Sequence, residues 1–446
     1  MGNCDNMNNI SLDRVHDVMK KYTIGDGKEV IYDYEGSHGS YLRDAKTGED
    51  YLDMFTFYAT LPVGHTHPKL REKDFLRHLA SVAVNKPSNS DVYTPKLAEF
   101  TKDFAEIAAP NWAKHFFFIS GGALAVENAL KTAMDWKVRK NFARGEKKEL
   151  GHQVIHFEGS FHGRSGYTLS LTNTFDPRKY QYFAKFDWPR IKAPALRFPI
   201  TDEVLDRVKQ EEEESIEQIK DTINKEGKDI SSLIIEPIQA EGGDQHFRPE
   251  FFKELRNICD ENDIMFILDE IQAGMGITGK WWAYQNFDFK PDIIAFGKKS
   301  QVCGIMASDR VEEVNDHCFE ESSRLNSTWG GNLVDMVRTT KYLEIIEEEN
   351  LIKNAEKVGN YLLDSIDYLR ENFETISNVR GKGLMCAFDL ESTEMRDEVI
   401  KKAFKNNLLI LKSGEKSIRF RPPLNLSKKE VDEAISILEK SIKAVS

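Results

Sequence analysis

The 446-residue sequence has little cysteine: five residues, Cys4, Cys259, Cys303, Cys318 and Cys386, scattered with no CxxC pair. That spacing supports no disulfide framework and points to a reducing compartment. No stretch approaches 18 uncharged apolar residues, which excludes a membrane-spanning helix. Basic excess is also missing. With 61 Lys+Arg against 73 Asp+Glu the net charge is −12, which argues against a general nucleic-acid binder. The opening MGNCDNMNNISLDRV has neither the basic nor the apolar segment of a secretory signal. Gly2 and Cys4 hint at dual acylation, but Asn6 stands where the myristoylation pattern wants Ser or Thr. A plain tail and a cytoplasmic protein are the expectation. No repeat of 20–50 residues is visible, which disfavours a solenoid or propeller.

What remains is an ordinary globular composition, 40% hydrophobic and 30% charged, in a chain long enough for two or three domains. Short apolar runs at 114–119, 154–157, 232–235, 264–268 and 293–296 are separated by helical periodicity, as over 126–139. Continuous apolar strands between helices suit a mostly parallel sheet covered on both faces, an α/β fold. The acidic stretch 207–228 reads as a solvated helix face. Beyond Trp329 come helices at 334–349 and 353–372, a strand–loop–strand region around 381–390 and 408–421, and a final helix at 428–443. GSYLRDAKTGEDYLDM near the start reads as a hairpin. The expected division is an N-terminal segment 1–65, a large domain 66–330, and a C-terminal part 331–446 that builds a smaller α+β domain with the first segment.

Three local patterns carry chemistry. Ser120-Gly121-Gly122-Ala123 lies between a strand and a helix, where small residues bring N–H groups and the helix N-terminus close to an anion. It is not a P-loop, because the GK[ST] ending is missing. Asp269 ends a buried strand, where α/β proteins collect ligands. It could hold a metal, a ribose or a protonated ring nitrogen, or simply cap the next turn. Lys298 and Lys299 follow a strand and a glycine. One of them, partly desolvated, would be a Schiff-base nucleophile; otherwise they are a solvated pair. Phosphate cradle, strand-end Asp and later Lys occur in the order needed to hold the phosphate, ring nitrogen and aldehyde of pyridoxal 5′-phosphate. The GxGxxG string from Gly274 to Gly279 does not directly follow its strand, so a dinucleotide fingerprint is disfavoured.

GGALAVENALK, FHGRSGYTLSLTNT, EPIQAEGGDQHFRPEFF, DEIQAGMGITGKWWAYQ, AFGKKSQVCGI and NSTWGGN resemble the class III aminotransferases, and within them the lysine ε-aminotransferases. The resemblance runs from about Tyr41 to IRFRPPL. It implies fold type I, a pyridoxal 5′-phosphate enzyme, and a homodimer with active sites at the subunit interface. It further implies Lys298 as the lysine that carries the cofactor, with Lys299 structural or on the surface. Gly122 and Ala123 would bind the phosphate, Phe161 stack on the ring, and Asp269 pair with the ring nitrogen. Gln272 would sit against the phenolic oxygen and near the donor, and Thr328 reach the other subunit's phosphate. Arg419 would bind the α-carboxylate of 2-oxoglutarate, Glu241 neutralise Arg419 when an ω-amino donor is bound, and Arg164 take the α-carboxylate of lysine, with Asn326 lining the same site. Ser120 and Ala240 are small departures from the family pattern.

The activity so implied is transfer of the ε-amino group of L-lysine to 2-oxoglutarate, giving 2-aminoadipate 6-semialdehyde, which cyclises, and L-glutamate. No metal is implied. Two readings stand beside it: a class III relative acting on ornithine, 4-aminobutyrate or a racemase-type substrate, and a cofactor-free interaction protein on the same scaffold.

Overall fold

The computed structural model describes residues 10–445, so Gly2, Cys4 and the acylation pattern lie outside the described residues. Seven strands form the large sheet: β1 (His115–Ile119), β2 (Gln153–Phe157), β3 (Arg190–Ile191), β4 (Ile230–Ile235), β5 (Met265–Asp269), β6 (Ile293–Phe296) and β7 (Cys303–Ala307). Their spatial order is β1-β7-β6-β5-β4-β2-β3. Only β7 runs against its neighbours, antiparallel to β1 and β6; the other pairings are parallel.

Period-two alternation along these strands divides the core. Val154, Ile234, Ile267 and Ala295 face one side and pack with Val126, Leu130 and Trp136 of α1 (Gly122–Ala143). Their neighbours Ile155, Ile235, Leu268 and Phe296 face the other, against Phe100, Phe104 and Phe251. Because both faces are covered, both sets must be apolar, which is why the strands read as unbroken apolar runs. The acidic stretch falls on helix Asp202–Glu226, where only Val208, Glu212, Ser215 and Ile219 are buried.

The expected hairpin is Tyr41–Arg43 against Asp50–Asp53, and the second strand pairs in parallel with Leu408–Leu409. The two ends of the chain thus share a sheet. Next to it, β8 (Ser377–Lys382), β9 (Met385–Asp389), β10 (Leu411–Ser413) and β11 (Ser417–Arg419) form a four-stranded sheet in the order β8-β9-β11-β10. Helices Leu351–Asn372 and Lys428–Lys443 pack with these strands in one apolar cluster. One feature differs from expectation: helix Thr393–Lys405, capped by Ser392, fills the connection read as loop. It buries only Arg396, Val399 and Ala403, too thin an apolar stripe to stand out by periodicity.

The GxGxxG string is packing, not a phosphate loop. A Cβ on Gly274 would come 2.7 Å from Trp282, and one on Gly279 would come 2.8 Å from Glu356. Among the described residues no helix is long and apolar enough to cross a membrane.

Candidate active site

The carboxyl ends of five strands converge on one place. After β1 the chain turns through Gly121, whose φ of +111° suits glycine, into the first turn of α1. A Cβ on Gly122 would approach Ile271 to 3.0 Å, so a side chain there would push the turn outward. The first N–H groups of a helix have no intrahelical partner, and here Gly122 and Ala123, at the start of α1, line the cavity, the arrangement an anion site requires. After β2 comes Phe161-His162, after β4 Glu236, at the end of β5 Asp269, and after β6 Gly297-Lys298. Gly121, Gly122, Phe161, His162, Glu236, Asp269 and Lys298 line a cavity of about 650 Å³ together with Gln272 and Thr60. A second cavity, about 990 Å³, shares Phe161, Gln272 and Lys298 and adds Arg164, Lys179, Glu241 and Arg419.

Asp269 both caps and binds. One oxygen accepts from the Ile271 amide at 3.1 Å, and the other is 2.8 Å from Nδ1 of His162. Nε2 of His162 is buried without a partner among the described residues. Glu236 lies on the same cavity and accepts from the amides of Phe161 at 3.0 Å and Ala240 at 3.1 Å. Burial pushes its carboxyl up despite those bonds.

The two lysines differ sharply. Lys298 faces both cavities in a left-handed conformation, φ +55°. Burial, and then the positive charge of Arg419, lower its amine pKa, which favours the neutral, nucleophilic form. Lys299 points away. It is 1% exposed and donates to the carbonyl of Ala59 at 3.2 Å, so the solvated pair is excluded and Lys299 is a buried structural residue. Burial drives its pKa well below the usual value.

That bond helps hold a turn the sequence reading missed. Thr56, Phe57, Tyr58 and Ala59 all have positive φ, 41°, 50°, 61° and 70°, a left-handed turn costing about 1–2 kcal/mol per residue. Asp53 accepts from the amides of Phe55 and Thr56, and His65 holds Asp53 at 2.8 Å. The result directs Tyr58 to the larger cavity and Thr60 to the smaller.

Glu241 bridges two cations, Arg419 through one oxygen and Lys179 through the other. Burial pushes its carboxyl up, but Arg419 and Lys179 outweigh it and hold the pKa below the ordinary value. Arg419 is 1% exposed, and its Nε and Nη1 have no partner among the described residues. Arg164 is exposed at the wall of the same cavity. Asn326 and Thr328 are the expected site residues that this chain does not bring in: both are exposed and line neither cavity.

An amine, a carboxylate and an amide-lined turn on one cavity form the donor set for a phosphorylated pyridine aldehyde. Comparison with known proteins agrees. The aminotransferase class-III family matches residues 23–442. The chain belongs to the class III aminotransferases. Among its relatives, the L-lysine-epsilon aminotransferase of Mycobacterium tuberculosis is 49% identical over 436 residues, covering 97% of this chain and 96% of that one. The L-lysine-epsilon aminotransferase of Streptomyces clavuligerus is 43% identical over 449 residues, covering 100% and 97%. A solved lysine aminotransferase from M. tuberculosis, in the internal aldimine form, superposes with a TM-score of 0.96 at 48% identity, over 98% of this chain and 100% of that one. The enzyme is therefore an aminotransferase of fold type I whose cofactor is pyridoxal 5′-phosphate.

Beside Tyr58 and Thr60, His162, Glu236 and Lys179 are among the pocket residues that sequence reasoning missed. His162 and Glu236 sit inside quoted motifs, FHGR and EPIQAEGG, and two motif-bound ionisable residues without an assigned role were the available signal. Lys179 stands in no motif.

Proposed function

We propose that the enzyme moves the ε-amino group of L-lysine to 2-oxoglutarate, giving 2-aminoadipate 6-semialdehyde and L-glutamate. The carrying observation is one cavity lined by two arginines, Arg164 and Arg419, and by Lys298, with Glu241 paired to Arg419 and not to Arg164. The identity with lysine-specific relatives supports the same donor.

Bound pyridoxal 5′-phosphate supplies an aldehyde that exchanges with amines and a ring that accepts the electron pair released at the donor carbon. The chain's residues do the rest. Gly122 and Ala123 would bind the phosphate, Phe161 cover the ring, and Gln272 meet its phenolic oxygen. Asp269, oriented by His162, would hold a proton on the ring nitrogen. Lys298 would carry the aldehyde at rest and, once displaced, move a proton from the ε carbon of lysine. Arg164 would grip the α-carboxylate of lysine, so that its far amine reaches the reacting end. Glu241 neutralises Arg419 in that half-reaction and yields it to the α-carboxylate of 2-oxoglutarate in the other, which avoids a buried unpaired guanidinium. Asn326 and Thr328, exposed in a single chain, fit a homodimer in which they complete the partner's site.

The test is purified enzyme with lysine and 2-oxoglutarate, assayed for glutamate and for a cyclic imine trapped by 2-aminobenzaldehyde. Both products are expected. Glutamate from ornithine or 4-aminobutyrate, with none from lysine, would overturn the lysine assignment.

A further inference from the structure

Glu241 is held by more than the arginine it is proposed to gate. Its second oxygen meets Nζ of Lys179, whose side chain is 17% exposed against 1% for Arg419. The backbone that carries Lys179 is fixed apart from Glu241. Lys179 ends the short turn Pro177–Lys179, which Asp176 caps by accepting from the Arg178 amide at 3.2 Å. Its ammonium also lies 5.8 Å from the centre of the Phe161 ring. Behind the gate is a further cavity of about 240 Å³, to which Glu241, Lys179, Arg396, Lys412 and Thr393 all contribute. Glu241 thus stands between the substrate cavity and a recess of mixed charge, where Asp397 pairs with Arg396 and Asp176 with Arg178, so that Lys179, which lines both cavities, is the cation of the recess that reaches Glu241.

We propose that Lys179 is the latch of the gate: a positioning residue that keeps the Glu241 carboxylate when a substrate α-carboxylate takes Arg419. The inference rests on the gate reading above. In the closed state Glu241 has two cations. In the open state it turns into the recess, and Lys179 is the cation it retains. Removing Lys179 therefore costs the closed state one of two partners and the open state its principal one. The equilibrium shifts toward closed, and substrates needing Arg419 lose more than lysine does. Because Lys179 acts through Glu241, its effect must vanish when Glu241 carries no charge.

The experiment is single-turnover absorbance on the holoenzyme, with lysine alone, glutamate alone, and 2-oxoglutarate with the amine form of the enzyme. Lys179→Gln should lower the ratio of 2-oxoglutarate to lysine efficiency about tenfold, mainly through weaker 2-oxoglutarate binding. Lys179→Arg should restore the ratio. In a Glu241→Gln background, Lys179→Gln should leave the ratio within about twofold, the signature of coupling through one contact. If Lys179→Gln lowers both half-reactions equally, or Arg does not rescue it, or its effect persists beside Glu241→Gln, the latch is overturned. If Glu241→Gln alone slows lysine and glutamate equally, the gate reading itself has failed. A raised ratio in Lys179→Gln would mean that Lys179 holds the gate shut, which also overturns the proposal.

Discussion

Lys298 and Lys299 are chemically identical neighbours that the backbone separates completely. The left-handed φ at Lys298 turns one amine into the cavities and the other into the protein, against Ala59. Lys298→Ala is expected to cut transamination by about a thousandfold or more, as for a residue that both bonds and moves a proton. Lys299→Ala should keep substantial activity while losing about 2–3 kcal/mol of stability, as for truncation of a buried side chain. Borohydride reduction and peptide mapping decide the register, and a pyridoxyl group on Lys299 would refute it. Asp269 is the second test at this scale. Asp269→Asn should lower kcat about 10²–10³-fold, as when one preorganised charge is removed. Cofactor affinity should change far less, because the phosphate and ring contacts remain. Stopped-flow turnover beside a cofactor titration separates the two; near-native turnover would remove Asp269 from this role.

Elements meet at close backbone approaches that tolerate no side chain. Gly359, in helix Leu351–Asn372, lies against the turn between β8 and β9, where an added Cβ would meet the carbonyl carbon of Gly383 at 2.0 Å. Gly383 has φ +55° and itself abuts the carbonyl of Ile277, so the turn has nowhere to move. Gly359→Ala should therefore destabilise the fold by about 3 kcal/mol or more, the upper range for overpacking, measured as a lower urea midpoint. The left-handed turn at 56–59 is the opposite kind of element. No glycine, asparagine or aspartate marks it in TFYAT, and it exists because Asp53, His65 and Lys299 over-determine it.

A buried ion pair ties together strands of the smaller sheet. Asp389 of β9 binds Arg380 of β8, with Ser417 and Asn378 on the same carboxylate. Burial pushes the Asp389 carboxyl up, but Arg380 and the two hydrogen bonds prevail and hold it below the ordinary value. A depressed carboxyl contributes stability above its unfolded pKa of about 3.9. That stability is lost as pH falls through the lower folded pKa. Urea midpoints should therefore drop between pH 5 and pH 3, and Asp389→Asn should flatten that slope while destabilising at pH 7. An unchanged slope would assign the acid loss to other carboxylates. At the level of assembly, Lys298→Ala and Thr328→Ala protomers, each impaired, should regain activity when mixed if Thr328 serves the partner's cofactor. A fully active monomer in dilute solution would refute a shared site.

Local chemistry was legible in the linear chain wherever a single segment holds it. Apolar runs ending in Asp269, in Gly297-Lys298 and in the Gly121-Gly122 turn announce a parallel sheet with ligand groups at one end, because strand and helix periods are short-range properties. The α/β class, the hairpin at 41–53 and the resemblance to class III aminotransferases follow from such segments. The resemblance already pointed to Lys298, but only the tertiary structure turned that amine into the cavities and buried Lys299 against Ala59. Tertiary structure alone joined His162 to Asp269 and Lys179 to Glu241, pairs 107 and 62 residues apart. It also left-handed the turn that carries Tyr58 and made packing contacts of a GxGxxG string. Those features arise from contacts between remote segments, and burial and partner identity exist only after the chain has folded.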